Sequence, residues 1–218
     1  MPSLPEHYAT RLRGALRKRT DPVIPIYGTM ALDALREVAN IGSSTAATAL
    51  SSMLGIPVAV GTPAAWATVL TEAIEQAGPG EMLVTIVVVP VSGDLDALVL
   101  MVMTPDTELR ACRLLGVEAG TEIGNSALLE IGNILAASYV GALSTLTGLA
   151  LDPAPPERVH DMLRAVLASA VLVAVQDEPV IVLESTLTVA GQECSPTFML
   201  VPTSGGVDDI LERLRVSE

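Results

Sequence analysis

An α/β (α+β) fold built from two similar halves is what this sequence predicts, and three observations predict it. Two long helical patterns, Thr29 to Leu54 and Thr121 to Thr147, are each followed by a linker and then by strand-like runs. A segment of the first half recurs in the second at a fixed offset. Half of the residues are hydrophobic but only 2% are aromatic, so the core must be assembled from Val, Leu, Ile and Ala.

Taken in order, residues 1–27 read as a basic appendage. Arg11, Arg13, Arg17, Lys18 and Arg19 face only Glu6 and Asp21 there. Tyr8, Leu12 and Leu16 fall four apart, which suits a short amphipathic helix before Asp21-Pro22 and Ile24-Pro25 break the pattern. Residues 28–218 form one domain of two repeats, about 29–104 and 121–202. The first helical pattern stops at Gly55, a residue suited to a left-handed C-terminal cap. Residues 56–60 can begin a strand, residues 63–76 read as a short helix, and Gly78-Pro79-Gly80 as a turn. Two apolar runs, 82–91 and 95–103, flank Ser92-Gly93-Asp94 and read as a hairpin of buried strands. Thr104-Pro105-Asp106 starts a helix that ends before Gly116. The second long pattern ends at Gly148, and a proline-rich connection (Pro153, Pro155, Pro156) follows. Residues 162–176 read as helix passing into strand, residues 180–190 and 197–201 as strands with a turn at Gly191, and residues 208–215 as a short helix.

The repeat is visible residue by residue. A shift of 93 positions lays Asp33–Pro63 on Ser126–Pro156, and ten of the 31 pairs are identical, Glu37/Glu130, Asn40/Asn133, Gly55/Gly148 and Pro63/Pro156 among them. At 100° per residue Asp33, Glu37 and Asn40 share an arc of about 60°, and Ser126, Glu130 and Asn133 do the same. Leu35, Val38, Ala39 and Gly42 lie opposite in the first copy, and Leu128, Ile131, Gly132 and Leu135 in the second. The apolar side should therefore face the core and leave the carboxylate and carboxamide pointing outward. A polar helix face is ordinary by itself. Asn, however, is a mediocre helix former, and the same Glu and Asn recur while Arg36 gives way to Leu129. Small residues in both helices (Ser43, Ser44, Ala46, Ala47; Ala136, Ala137, Gly141, Ala142) permit close helix approach.

Charge and composition exclude several function classes. A formal net charge of -13 repels a phosphate backbone, and scarce aromatics leave no platform for stacked bases. Outside the appendage 23 acidic residues stand against 7 basic ones, and Lys18 is the only lysine. A saline habitat and genomic base composition explain that bias equally well. Cys112 and Cys194 lack ligand spacing and read as two free buried thiols of a reducing compartment. Met1 to Thr20 has no apolar signal core. The apolar runs 82–91 and 165–175 are too short to span a bilayer as helices and read as buried strands. The expectation is a cytoplasmic protein without a membrane span. His7 and His160 have no companions in the sequence and read as solvated.

The runs Asp33-x3-Glu37-x2-Asn40-x22-Pro63 and Ser126-x3-Glu130-x2-Asn133-x22-Pro156 resemble the paired signature of the CheC family of chemotaxis phosphatases, whose pattern begins with Asp or Ser. The resemblance covers most of the chain from about Thr29 onward. Together with the periodicity, it implies two pseudo-symmetric halves sharing one central, mostly antiparallel sheet, with the paired long helices packed on one face. It further implies dephosphorylation of a CheY-like response regulator, whose acyl-phosphate sits beside Mg²⁺ and a lysine. Asn40 and Asn133 would orient the attacking water, and Glu37 and Glu130 would pair with the regulator's lysine. Asp33 and Ser126 would bind the helix backbone or the partner. Pro63 and Pro156 would be structural. The Mg²⁺ is expected on the partner, with no cofactor or metal of the chain's own.

The chemistry is consistent with this. A neutral carboxamide accepts from a water and donates to a phosphoryl oxygen without adding charge beside an anionic transition state. A non-catalytic adaptor that binds the regulator or a CheD-like deamidase is the alternative, and a flagellar-switch component ranks third because no added domain fits this length.

Overall fold

The computed structural model describes residues 29–216 except 62, 70–71, 74–78, 167–178, 185–186, 190–191 and 203–205. The expected N-terminal helix therefore lies outside the described residues, as does most of the apolar run at 165–175. The described elements are α1 (Thr29–Leu54), β1 (Val58–Val60), β2 (Ala64–Val69), β3 (Leu83–Gly93), β4 (Ala97–Met103), α2 (Pro105–Leu114), α3 (Glu122–Thr147), β5 (Leu151–Pro153), β6 (Glu157–Met162), β7 (Pro179–Glu184), β8 (Leu187–Val189), β9 (Gln192–Cys194), β10 (Thr197–Pro202) and α4 (Gly206–Val216). The protein is a mixed helix and antiparallel-sheet fold.

A seven-stranded sheet runs in the order β2-β7-β10-β4-β3-β5, with β6 also paired to β3, and β1, β8 and β9 form a separate three-stranded sheet. The order of the large sheet follows a rule. The 93-residue shift lays α1 on α3, β1 on β5 and β2 on β6, end to end. Yet β2 pairs with β7 of the second half, while β6 pairs with β3 of the first. Each half thus lends an outer strand to the other, and β4 and β10 meet at the centre. β5 and β1 part company: β5 extends the edge of β3, whereas β1 joins β8 in the small sheet.

Alternation along the strands explains the unbroken apolar runs, because both faces of the sheet are covered. Val87, Val89, Val99, Met101, Ile181, Leu183 and Phe198 join one core, with α1, α2, α3 and α4. Val84, Ile86, Val88, Leu98, Leu100, Val102, Val180, Val182 and Met199 join another, under Leu163 and Val166. A strand buried on both sides has no polar face to show.

Two sequence expectations are corrected. Residues 64–69 form a strand, not a helix; the three alanines and Trp66 carry no period-2 signal, and backbone pairing of β2 with β7 settles the state. The stretch after the prolines, read as connection, holds β6, whose half-buried positions alternate too weakly to show. Pro63 and Pro156 sit one residue before β2 and β6, where the missing N–H costs no ladder bond.

The two long helices end alike. Gly55 (φ 65) and Gly148 (φ 73) take the left-handed conformation and donate to the carbonyls of Ser51 and Ser144. α3 is long and apolar enough by composition to cross a bilayer, but 56% of its most apolar window is buried inside the protein. Gly132 lets it lie on the sheet, since a Cβ there would come within 2.6 Å of Val87 Cγ1. Gly42 does the same for the contact of α1 with Tyr139 of α3.

Cys112 and Cys194 are both free and buried, as the sequence suggests. Burial pushes both thiols up, Cys194 to about 11, and the Glu108 carboxylate adds to the rise at Cys112. A raised folded pKa keeps the thiol neutral through the range where an unfolded cysteine, at 9.0, already ionises. The stability this represents is intact below pH 9 and falls as pH climbs toward 11. Iodoacetamide at pH 8 is expected to label neither thiol in the folded protein and both in denaturant; rapid labelling without denaturant would contradict this burial.

Candidate functional site

Both motif helices owe their orientation to apolar stripes. On α1, Leu35 (1% exposed), Val38 (4%) and Ala39 (0%) enter the core; on α3, Leu128 (0%), Ile131 (7%) and Leu135 (0%) do so. With those positions anchored, the residues on the other side have to face out. Asp33, Glu37, Asn40, Ser126 and Glu130 are exposed, and Asn133 is half-buried. Among the described residues, neither Glu37, Asn40, Glu130 nor Asn133 is tied by a side-chain hydrogen bond or ion pair. Each Glu stands one turn before its Asn on a rigid 26-residue helix.

The N-terminus of α3 is fixed locally. Thr121 Oγ1 accepts from Gly124 N (3.0 Å) and donates to the carbonyl of Glu118 (2.7 Å). Gly124 is required there, because a Cβ would lie 2.2 Å from that carbonyl oxygen. Farther along, the helices hold many Ser and Thr residues, whose hydroxyls donate back to the preceding turn: Thr45 to Ile41, Thr48 to Ser44, Ser138 to Ile134 and Thr145 to Gly141. Beyond each Asn the stripe carries only short side chains, Ser44 and Thr48 in one copy, Ala137 and Gly141 in the other, all exposed. On that C-terminal side no bulky residue of the stripe adjoins the carboxamide.

The two stripes differ in charge. Asp33 is engaged by Arg36, Nη1 to Oδ1 at 2.6 Å, a solvent-exposed pair that adds little stability. It does place a guanidinium beside Glu37. The corresponding residues on α3 are Ser126 and Leu129, so Glu130 has no cation next to it in sequence.

Two features escape the sequence pattern. Met30 and Ile123 are exposed apolar residues three positions before Asp33 and Ser126; a repeat comparison that begins at the motif leaves them out. The second is a polar cluster joining β3, α2 and β6. Buried Thr85 donates to Glu108 Oε2 (2.6 Å), Arg158 Nη2 meets Glu108 Oε1 (3.2 Å), and His160 Nδ1 lies 2.8 Å from Thr85 Oγ1. His160 thus has companions that linear sequence, separating it from Thr85 by 75 residues, does not show. The cluster fixes an outer strand to α2 and shares no residue with either stripe.

Comparison with known proteins adds the following. The sequence model of the CheC-like family matches residues 30–65 and 122–160. The chain is 31% identical over 155 residues to the CheY-P phosphatase CheC of Bacillus subtilis (strain 168), an alignment spanning 65% of this chain and 71% of that protein. Its structure is similar to that of Thermotoga maritima FliY, with a TM-score of 0.68 and 20% identity over 89% of this chain and 100% of that one. It is also similar to the FliM middle domain from H. pylori, with a TM-score of 0.62 and 14% identity over 86% and 99% of the respective chains. At such identities the two structures speak for the fold alone.

Proposed function

Because the chain belongs to the CheC-like family, we propose that it hydrolyses the phosphoaspartate of a CheY-type response regulator, using Asn40 and Asn133 to orient the water. The observation that carries this reading is the outward presentation of an unpaired Glu and Asn, one turn apart, on each of two helices held from behind by the core. The relative that is a CheY-P phosphatase supplies the substrate class.

In the reaction, water attacks phosphorus, the bond between phosphorus and the aspartate oxygen breaks, and inorganic phosphate and a free carboxylate remain. The regulator brings its own Mg²⁺ and lysine. What this chain adds is position. The Asn carboxamide oxygen accepts from the water while its N–H₂ donates to a phosphoryl oxygen, and Glu37 or Glu130 pairs with the lysine and sets the docking register. A helix is a suitable carrier, because both side chains then enter one cleft at fixed separation.

The test is release of inorganic phosphate from a phosphorylated CheY-type regulator, with and without this protein. Acceleration well above the regulator's own rate is expected at substoichiometric amounts. Binding without acceleration would replace the enzyme by an adaptor.

A further inference from the structure

We infer that Met30 and Ile123 are the apolar anchors of the two stripes, each gripping the phosphorylated regulator one turn ahead of the Asp or Ser that opens the motif. This deepens the phosphatase reading and rests on it.

Among the described residues these two are the most exposed large hydrophobic side chains, at 56% and 71%. A single exposed Met or Ile needs no explanation. Two at one register position are different: the 93-residue shift that lays Glu37 on Glu130 and Asn40 on Asn133 also lays Met30 on Ile123. Each is the second residue of its helix. Counting from either, the motif residues fall at i+3, i+7 and i+10, so all four positions share one stripe of about 80°. The polar residue between them is free to change from Asp33 to Ser126, but the apolar character ahead of it stays.

The chemistry of the partner explains what an apolar residue does there. A Glu–Lys contact at an interface rim sets register and contributes little affinity, since both groups give up hydration. Affinity comes from apolar side chains seated in the partner and shielded from water. Such a residue must lie on the docking face without crowding the carboxamide, and it must be rigid. Ile123 meets the last condition through the Thr121 cap one residue before its helix begins. The anchor separates labour along the stripe: the apolar end holds, and the Asn end acts.

The test uses the full chain with Met30→Ser, Ile123→Ser and both together, alongside Met30→Leu and Ile123→Leu. Steady-state phosphate release gives KM and kcat, and titration with beryllofluoride-activated regulator gives Kd. The double Ser variant is expected to raise KM and Kd about tenfold or more, with kcat within twofold of the parent and the Leu variants near parental values. A KM and Kd within twofold of the parent would overturn the anchors while leaving the phosphatase reading intact. So would a loss confined to kcat, or a change only in oligomeric state, which would assign the patch to a second copy of this chain. A parent that neither binds nor accelerates overturns both readings at once.

Discussion

Replacing Asn40 and Asn133 together by Ala is expected to return phosphate release to the rate of the regulator alone, a loss of about a hundredfold or more in acceleration. No nucleophile is proposed on this chain, so removing the two groups that place the water leaves nothing else to speed the reaction. The fold should not notice, because Asn40 is exposed and Asn133 half-buried, with no side-chain bonds among the described residues to lose. Binding of beryllofluoride-activated regulator should therefore persist as phosphate release falls. A double variant that still accelerates release like the parent would remove the water-positioning role.

The single variants should differ, and the second site should carry more of the rate. Arg36 stands next to Glu37 and pairs with Asp33, so a cation competes with the regulator's lysine for the first stripe. No such cation adjoins Glu130 in sequence, and the half-buried Asn133 has less rotamer freedom to lose on docking. Asn133→Ala is expected to cost the larger share, and Arg36→Leu to raise the rate remaining in that variant. Equal losses from the two single changes would contradict the asymmetry.

Gly42→Val is expected to destabilise the protein by about 3 kcal/mol, a fall in melting temperature of roughly 6–12 °C for a chain of this size. A Cβ at Gly42 would meet Tyr139 Cδ1 at 2.4 Å and Tyr139 Cα at 3.0 Å. The ring can turn; the Cα cannot move unless α3 moves. Tyr139 is itself buried against Phe198, with ring centroids 5.5 Å apart, so the strain spreads to β10. Gly141 makes the matched control: a Cβ there meets nothing within 4 Å, and Gly141→Ala should stabilise by up to about 1 kcal/mol through helix propensity alone. Thermal unfolding of the two variants checks both signs, and a Gly42→Val protein as stable as the parent would refute the close helix contact.

Much of the candidate site was legible because it lies within single helices. Glu37 and Asn40 need only the helical period to share a face, and Leu35, Val38 and Ala39 decide which face is turned away. Recurrence at Glu130 and Asn133 is the sequence feature that sets this stripe apart from a lone polar helix face. The caps were equally local: Gly55, Thr104, Thr121 and Gly148 end or start helices through bonds to residues within four positions. Residues 64–69 read as helix and residues 157–161 carry no signal of their own, because an outer strand takes its state from a partner far along the chain and its half-buried positions announce neither period.

The sequence by itself determined the helices, their outward residues and the recurrence at a 93-residue offset, since each depends on periods or offsets along one chain. Tertiary structure alone decided that each half gives its outer strand to the other, that Thr85 meets both His160 and Glu108, and that Gly42 rather than Gly141 bears the helix contact. Those outcomes join segments separated by tens of residues. Hydrogen-bond ladders and side-chain packing select such pairings in space, and no local pattern encodes which distant segment will supply the other half.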